Sequence, residues 1–154
     1  MAQRQFSEVD AVVVASRALL AIVARTIAPA LEQVSLQQFR VLVLLVGAGP
    51  DRLGSLAARL DAVPSTFSRA IDRMEHGGWV TRRPSPDSRR EVIVETTERG
   101  RALVQSVTDA RRRELVRVLE GVEPSRRQAL AAAFEEFATA AGEPAVEDLL
   151  PFGG

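Results

Sequence analysis

Ser65, Thr66 and Ser68 are small hydroxyl residues placed just ahead of Arg69 and Arg73. Residues 65–90 carry six arginines (69, 73, 82, 83, 89 and 90) against three acids, Asp72, Glu75 and Asp87, in a chain of formal net charge +0. None of these groups forms a nucleophile–base pair. They are hydrogen-bond donors suited to phosphate oxygens and base edges, and their short hydroxyl stems permit close approach. Pro64 fits the first position of a helix. In such a helix residues 65, 66, 69 and 73 share a face opposite Phe67, Ile71 and Met74. One face joins a core, and the other is free to meet double-stranded DNA in the manner of a recognition helix. Taken alone, this helix also fits an ordinary solvated helix with a polar first turn.

A second constellation follows. WVTRR (79–83) and EVIVET (91–96) read as two strands, with β-branched residues alternating in the second. Their connection, PSPDSRR, is too long for a tight turn and places Asp87, Arg89 and Arg90 at its tip. Arginine suits a narrow minor groove. Asp87 is expected to hold the tip by accepting hydrogen bonds from loop amides or from Arg89. A solvated charge run competes as an explanation for Arg82-Arg83 and Arg89-Arg90. The expected DNA-contacting set is Pro64, Ser65, Thr66, Ser68, Arg69, Arg73, Asp87, Arg89 and Arg90.

The elements that must position these residues follow from periodicity. Ser7 and Asp10 form a capping-box pattern ahead of Val9, Val12, Val13, Leu19, Leu20, Val23 and Ile27, a helix expected to run to about Ile27, before Pro29. It is apolar on more than one side. That suits either a core helix or one partly covered by a second subunit. Arg17 and Arg25 oppose a membrane span, and Glu8 and Asp10 oppose a signal sequence, so a cytoplasmic protein without a membrane partner is expected. Ser35 and Gln38 cap a second helix, expected to end at Gly47 and Gly49-Pro50. A short helix is expected over 55–60, a break at 61–63, and the helix of 64–76 up to Gly77-Gly78. Thr97 caps a long helix over about 98–120, and Pro124 opens a last one carrying Leu130, Ala133, Phe134 and Phe137. GAGP (47–50) follows a helix and lacks further glycines, so it reads as a turn, not a dinucleotide fingerprint.

The fold class expected is mainly α with a small β-hairpin wing, in the order helix, turn, helix, hairpin. The 154 residues include no cysteine and a single histidine, His76, excluding disulfides, thiol redox sensing and multi-histidine metal sites. His76 reads as a helix C-terminal residue favourable to the dipole. No cofactor is expected. All 20 basic residues are arginine.

The segment SLAARLDAVPSTFSRAIDRMEHGGWVTRRPSPDSRREVIVETTERGRAL (55–103) resembles the core of the MarR-type winged helix-turn-helix regulators, and SLQQFRVLVLL (35–45) matches the helix before it. Val63 stands where that family usually has a capping Ser or Asp, and Thr96 where leucine is common. The resemblance implies a homodimer, with residues 1–34 as an N-terminal dimerisation helix, 35–97 as the DNA-binding lobe, and 98–154 as C-terminal dimerisation helices and tail. It implies a ligand-responsive repressor reading a pseudo-palindromic operator and released by a small aromatic or anionic effector. Three other readings compete: an architectural or nonspecific DNA-binding protein, a small enzyme, and a protein-binding winged helix. The enzyme reading lacks a nucleophile–histidine pair, a phosphate loop and a metal cluster. The protein-binding reading leaves the hydroxyl-lined helix and arginine tip without a purpose.

Overall fold

The computed structural model describes residues 7–88 and 90–142 of the 154. In chain order these form α1 (Glu8–Leu31), α2 (Leu36–Ala48), β1 (Asp51–Arg52), α3 (Leu53–Arg59), α4 (Pro64–His76), β2 (Val80–Pro84), β3 (Val92–Thr96), α5 (Glu98–Glu120) and α6 (Pro124–Ala140). Arg89 and the residues after Gly142, which include nearly all of the expected irregular tail, lie outside the described residues.

Side-chain caps start three of the helices. The Ser7 hydroxyl accepts from the Asp10 N–H at 3.1 Å while the Asp10 carboxylate accepts from the Ser7 N–H at 3.1 Å. Ser35 and Gln38 repeat this exchange at the start of α2. Thr97 accepts from the Gly100 N–H at 3.2 Å, and its hydroxyl donates to the Gly78 carbonyl at 2.7 Å. That last cap ties the start of α5 to the turn after α4.

Several boundaries differ from expectation. α1 does not stop before Pro29 but continues to Leu31 with Pro29 inside its last turn. A proline there forfeits one backbone hydrogen bond. Burial of Ala30 and Val34 holds the turn, and the N–H groups of Gln33 and Val34 both donate to the Ala30 carbonyl at 3.0 Å. α2, by contrast, ends where expected: Ala48 is its last residue and Gly49 caps it, with a φ of 81° that needs glycine. α3 starts at Leu53, two residues earlier than expected. The cause is the short β1 strand ahead of it, which two residues cannot announce by alternation.

β1 pairs with β3 (Asp51↔Val94, Arg52↔Ile93), and β3 pairs with β2 from Val80↔Thr96 to Pro84↔Val92. The sheet is therefore three-stranded and antiparallel, in the order β1-β3-β2, where a two-stranded hairpin was expected. Pro84 is tolerated because β2 is an edge strand.

The core lies within the lobe of α2, α3, α4 and the sheet. Leu42, Leu56, Phe67, Ile71, Met74, Val80 and Val94 are almost completely buried. Leu103, Val104 and Val107 of α5 close it from one side. The terminal helices are different. α1 buries only Ile22, Thr26 and Ala30, and α6 buries no residue. Val9, Val12, Val13 and Leu20 on α1, Val116 and Val118 on α5, and Phe134 and Phe137 on α6 are exposed. The core-helix reading of α1 thus holds for its C-terminal half alone.

Candidate nucleic-acid interface

The turn between α3 and α4 is tight. Asp61 adopts φ of 49°, a left-handed conformation that aspartate tolerates better than most residues, and the Ala62 N–H donates back to the Ala57 carbonyl at 2.9 Å. Val63 precedes α4 in an extended conformation and supplies no capping oxygen. Pro64 has no N–H to satisfy. The first-turn amides of α4 are therefore free of a side-chain cap, at the positive end of the helix dipole.

The expected division of α4 is present. Pro64, Ser65, Thr66, Arg69 and Arg73 are exposed and Ser68 is half-buried, while Phe67, Ala70, Ile71 and Met74 are buried. The acids of the same helix are occupied. Arg82 on β2 ion-pairs with Asp72, and its Nε lies 3.3 Å from Glu75, out of line for a hydrogen bond. Arg83 lies 4.0 Å from Glu95. Among the described residues, Arg69 and Arg73 form no ion pair. The arginines of α4 and β2 thus serve different ends: Arg82 and Arg83 neutralise acids on the sheet side, and Arg69 and Arg73 leave their charge on the outer face.

At the wing tip the loop-amide half of the expectation for Asp87 is not met, and its Arg89 half lies outside the described residues. Among the described residues, the partner of the Asp87 carboxylate is not a loop amide but Arg52 on β1, at 3.5 Å. The loop amides are served otherwise: the Asp87 N–H donates to the Ser85 hydroxyl at 3.3 Å and the Arg90 N–H to the Ser88 hydroxyl at 3.3 Å. A carboxylate at an exposed tip finds a guanidinium from a neighbouring strand more readily than amides already satisfied within the loop. The Arg90 side chain is exposed and shares a cleft with Arg52, Ser55 and Glu91. Expected contacts of Arg89 fall outside the described residues.

Two further features escaped sequence reading. Arg99 of α5 stacks on Trp79 and donates to the Gly77 carbonyl at the exit of α4. His76, the last residue of α4, has Nδ1 3.1 Å from the Asp72 carbonyl, in keeping with its expected C-terminal role. Between α2 and α5 lies a cavity of about 250 Å³ lined by Phe39, Val43, Val46, Val104, Thr108 and Arg111, among others. The Arg111 Nε is buried and lacks a hydrogen-bond partner among the described residues. Arg25 of α1 pairs with Glu114 of α5 at 3.5 Å. No group of three or more His, Asp or Glu able to hold a metal occurs among the described residues. α1 is long and apolar enough to cross a membrane by length and composition, yet in this fold it packs along α5.

A sequence model of the MarR family matches residues 34–92, the segment running from the end of α1 to the start of β3. The crystal structure of RV1404 from Mycobacterium tuberculosis is 41% identical, with a TM-score of 0.77 over 90% of this chain and 94% of that one. The chain belongs to the MarR family. Another relative, the HTH-type transcriptional regulator YfiV of Bacillus subtilis, is 31% identical over 62% of this chain. The match spans 60% of YfiV's own length. The MarR-family fold is shared by NadR, whose crystal structure in complex with 4-hydroxyphenylacetate is 20% identical, with a TM-score of 0.57 over 90% of this chain and 96% of that one.

Proposed function

We propose that this MarR-family chain is a transcriptional regulator that binds a pseudo-palindromic DNA operator as a homodimer. The single observation that carries the reading is the sorting of charge on α4. Ser65, Thr66, Arg69 and Arg73 occupy the outer face, while Asp72 and Glu75 are turned to Arg82. A helix with its acids neutralised behind it presents donors alone to the major groove. Competition binding on a randomised duplex library tests this. A discrete palindrome is expected, and uniform binding to all sequences would favour an architectural protein instead.

Dimerisation is supported by the exposed apolar residues of α1, α5 and α6, which are more than a single chain in water leaves uncovered without a partner. A second copy covering α1 also accounts for its apolar character in a cytoplasmic protein. Sedimentation should give a dimer, and Phe134→Glu should weaken it.

A repressor of this design needs a release signal. The cavity between α2 and α5 joins the DNA-binding lobe to the terminal helices, and its apolar wall and the buried Arg111 Nε suit a small aromatic acid. Binding there is expected to lower operator affinity. A thermal-shift series of aromatic carboxylates, repeated with Arg111→Gln, checks it.

A further inference from the structure

We propose that Arg52 is a positioning residue for the wing, tying its tip to the helix-turn-helix; the proposal rests on the DNA-binding reading above. The tip closes on itself through short-range bonds. The Ser85 N–H donates to the Glu91 carbonyl at 2.9 Å, and the Glu91 N–H donates to the Ser88 carbonyl at 3.1 Å. These bonds shape the loop but do not fix where it stands relative to α4.

Arg52 supplies the external tie. Its terminal nitrogen lies 3.5 Å from the Asp87 carboxylate and its Nε 3.4 Å from that of Glu91. One guanidinium therefore spans the two acids that flank the tip. Arg52 itself is anchored: its backbone pairs with Ile93 of β3, and the next residue begins α3. The wing tip is thus held from the strand that leads into the helix-turn-helix, 35 residues away from Asp87 in sequence.

The tie has an electrostatic side as well. Asp87 and Glu91 are both substantially exposed. Two unopposed carboxylates on a surface meant for DNA would repel the phosphates and each other. Arg52 offsets both while leaving Arg90, in the same cleft, to carry net positive charge. The pairs are solvated, so each contributes modestly. A role in placement, not in global stability, is what such pairs can sustain.

The test uses the full chain carrying Arg52→Gln, Asp87→Asn, or both. Without DNA, amide exchange at residues 88–91 should rise by about two- to fivefold in Arg52→Gln, with the buried core amides unchanged. On the preferred duplex, Arg52→Gln should lose affinity by about two- to fivefold, and Asp87→Asn should add little to it, because both remove one interaction. The salt dependence should keep its slope. Unchanged exchange at the tip, additive losses on DNA, or a slope reduced by about one unit, the mark of a direct phosphate contact, would each overturn the proposal. The exchange arm needs no DNA. A parent protein that binds no duplex would thus overturn the functional reading separately from the tie.

Discussion

The guanidinium carbon of Arg99 lies 3.9 Å from the centre of the Trp79 ring, and its Nη1 donates to the Gly77 carbonyl at 2.7 Å. One side chain from α5 thereby covers the chain's single tryptophan and satisfies a carbonyl at the exit of α4. Arg99→Ala should cost about 1 kcal/mol of stability. Because no other tryptophan contributes, the fluorescence of Trp79 should change with the substitution, and denaturant titration followed at that wavelength measures both effects.

Gly100 is required for the fit of α5 against the sheet. A Cβ there would stand 2.4 Å from the Thr96 hydroxyl and 2.5 Å from the Trp79 carbonyl. Alanine is the better helix former, by about 1 kcal/mol. The carbonyl is backbone and cannot swing aside, so overpacking prevails. Gly100→Ala should destabilise by roughly 1–3 kcal/mol in equilibrium unfolding.

Arg69 and Arg82 should fail differently. Arg69→Ala leaves the fold intact and should weaken the preferred operator by roughly 1–3 kcal/mol while relaxing its sequence preference. Arg82→Ala instead releases Asp72 and Glu75 on the recognition helix. It should lower the melting temperature and reduce affinity for all duplexes alike. Selection from a randomised library, paired with thermal melts, separates the two.

Binding should depend steeply on salt although the formal net charge is +0. On the proposed reading, the charge that meets DNA is the local charge of α4 and the wing. A dimer neutralising about 6–10 phosphates should lose on the order of 10³–10⁵ in affinity between 50 and 200 mM salt. A fluorescence-anisotropy titration across that range measures the slope.

The start of α1 should respond to acid. The hydroxyl of Ser7, then its backbone N–H, hold the Asp10 carboxyl below the usual carboxylate range. A group whose folded pKa is depressed contributes above its unfolded pKa, and that contribution is lost as pH falls through the folded value. The first turn of α1 should therefore fray on acidification. Asp10→Asn should remove this pH dependence, as read from amide exchange over residues 8–12.

Much of the DNA-facing helix was legible in the sequence because its pattern is local. Phe67, Ile71 and Met74 recur at helical spacing, and Pro64 and Gly77 bracket them. The caps at Ser7, Ser35 and Thr97 were legible for the same reason. What escaped was non-local. The tie of Arg52 to Asp87 joins residues that no periodicity links, and β1 is too short to alternate. Arg82 and Arg83 looked equivalent to Arg69 in a string of letters, and only the sheet register sets them against Asp72, Glu75 and Glu95. Pro29 misled because a helix stop at proline is a local rule, which the burial of Ala30 and Val34 overrides.

The length of α5 turns these contacts into a lever. Thr97 fastens its first turn to the exit of α4, and Arg111 reaches the cavity from the same helix. Fourteen residues separate them, about 21 Å of continuous α-helix. A tilt of about 5° at the cavity would carry the Thr97 end through about 2 Å over that length. In the proposed dimer, two such arms would act as the jaws of a caliper whose gap must match one turn of duplex, about 34 Å. The proposed effector, wedged at the pivot, would then need no contact with the DNA-binding face to spoil the measurement.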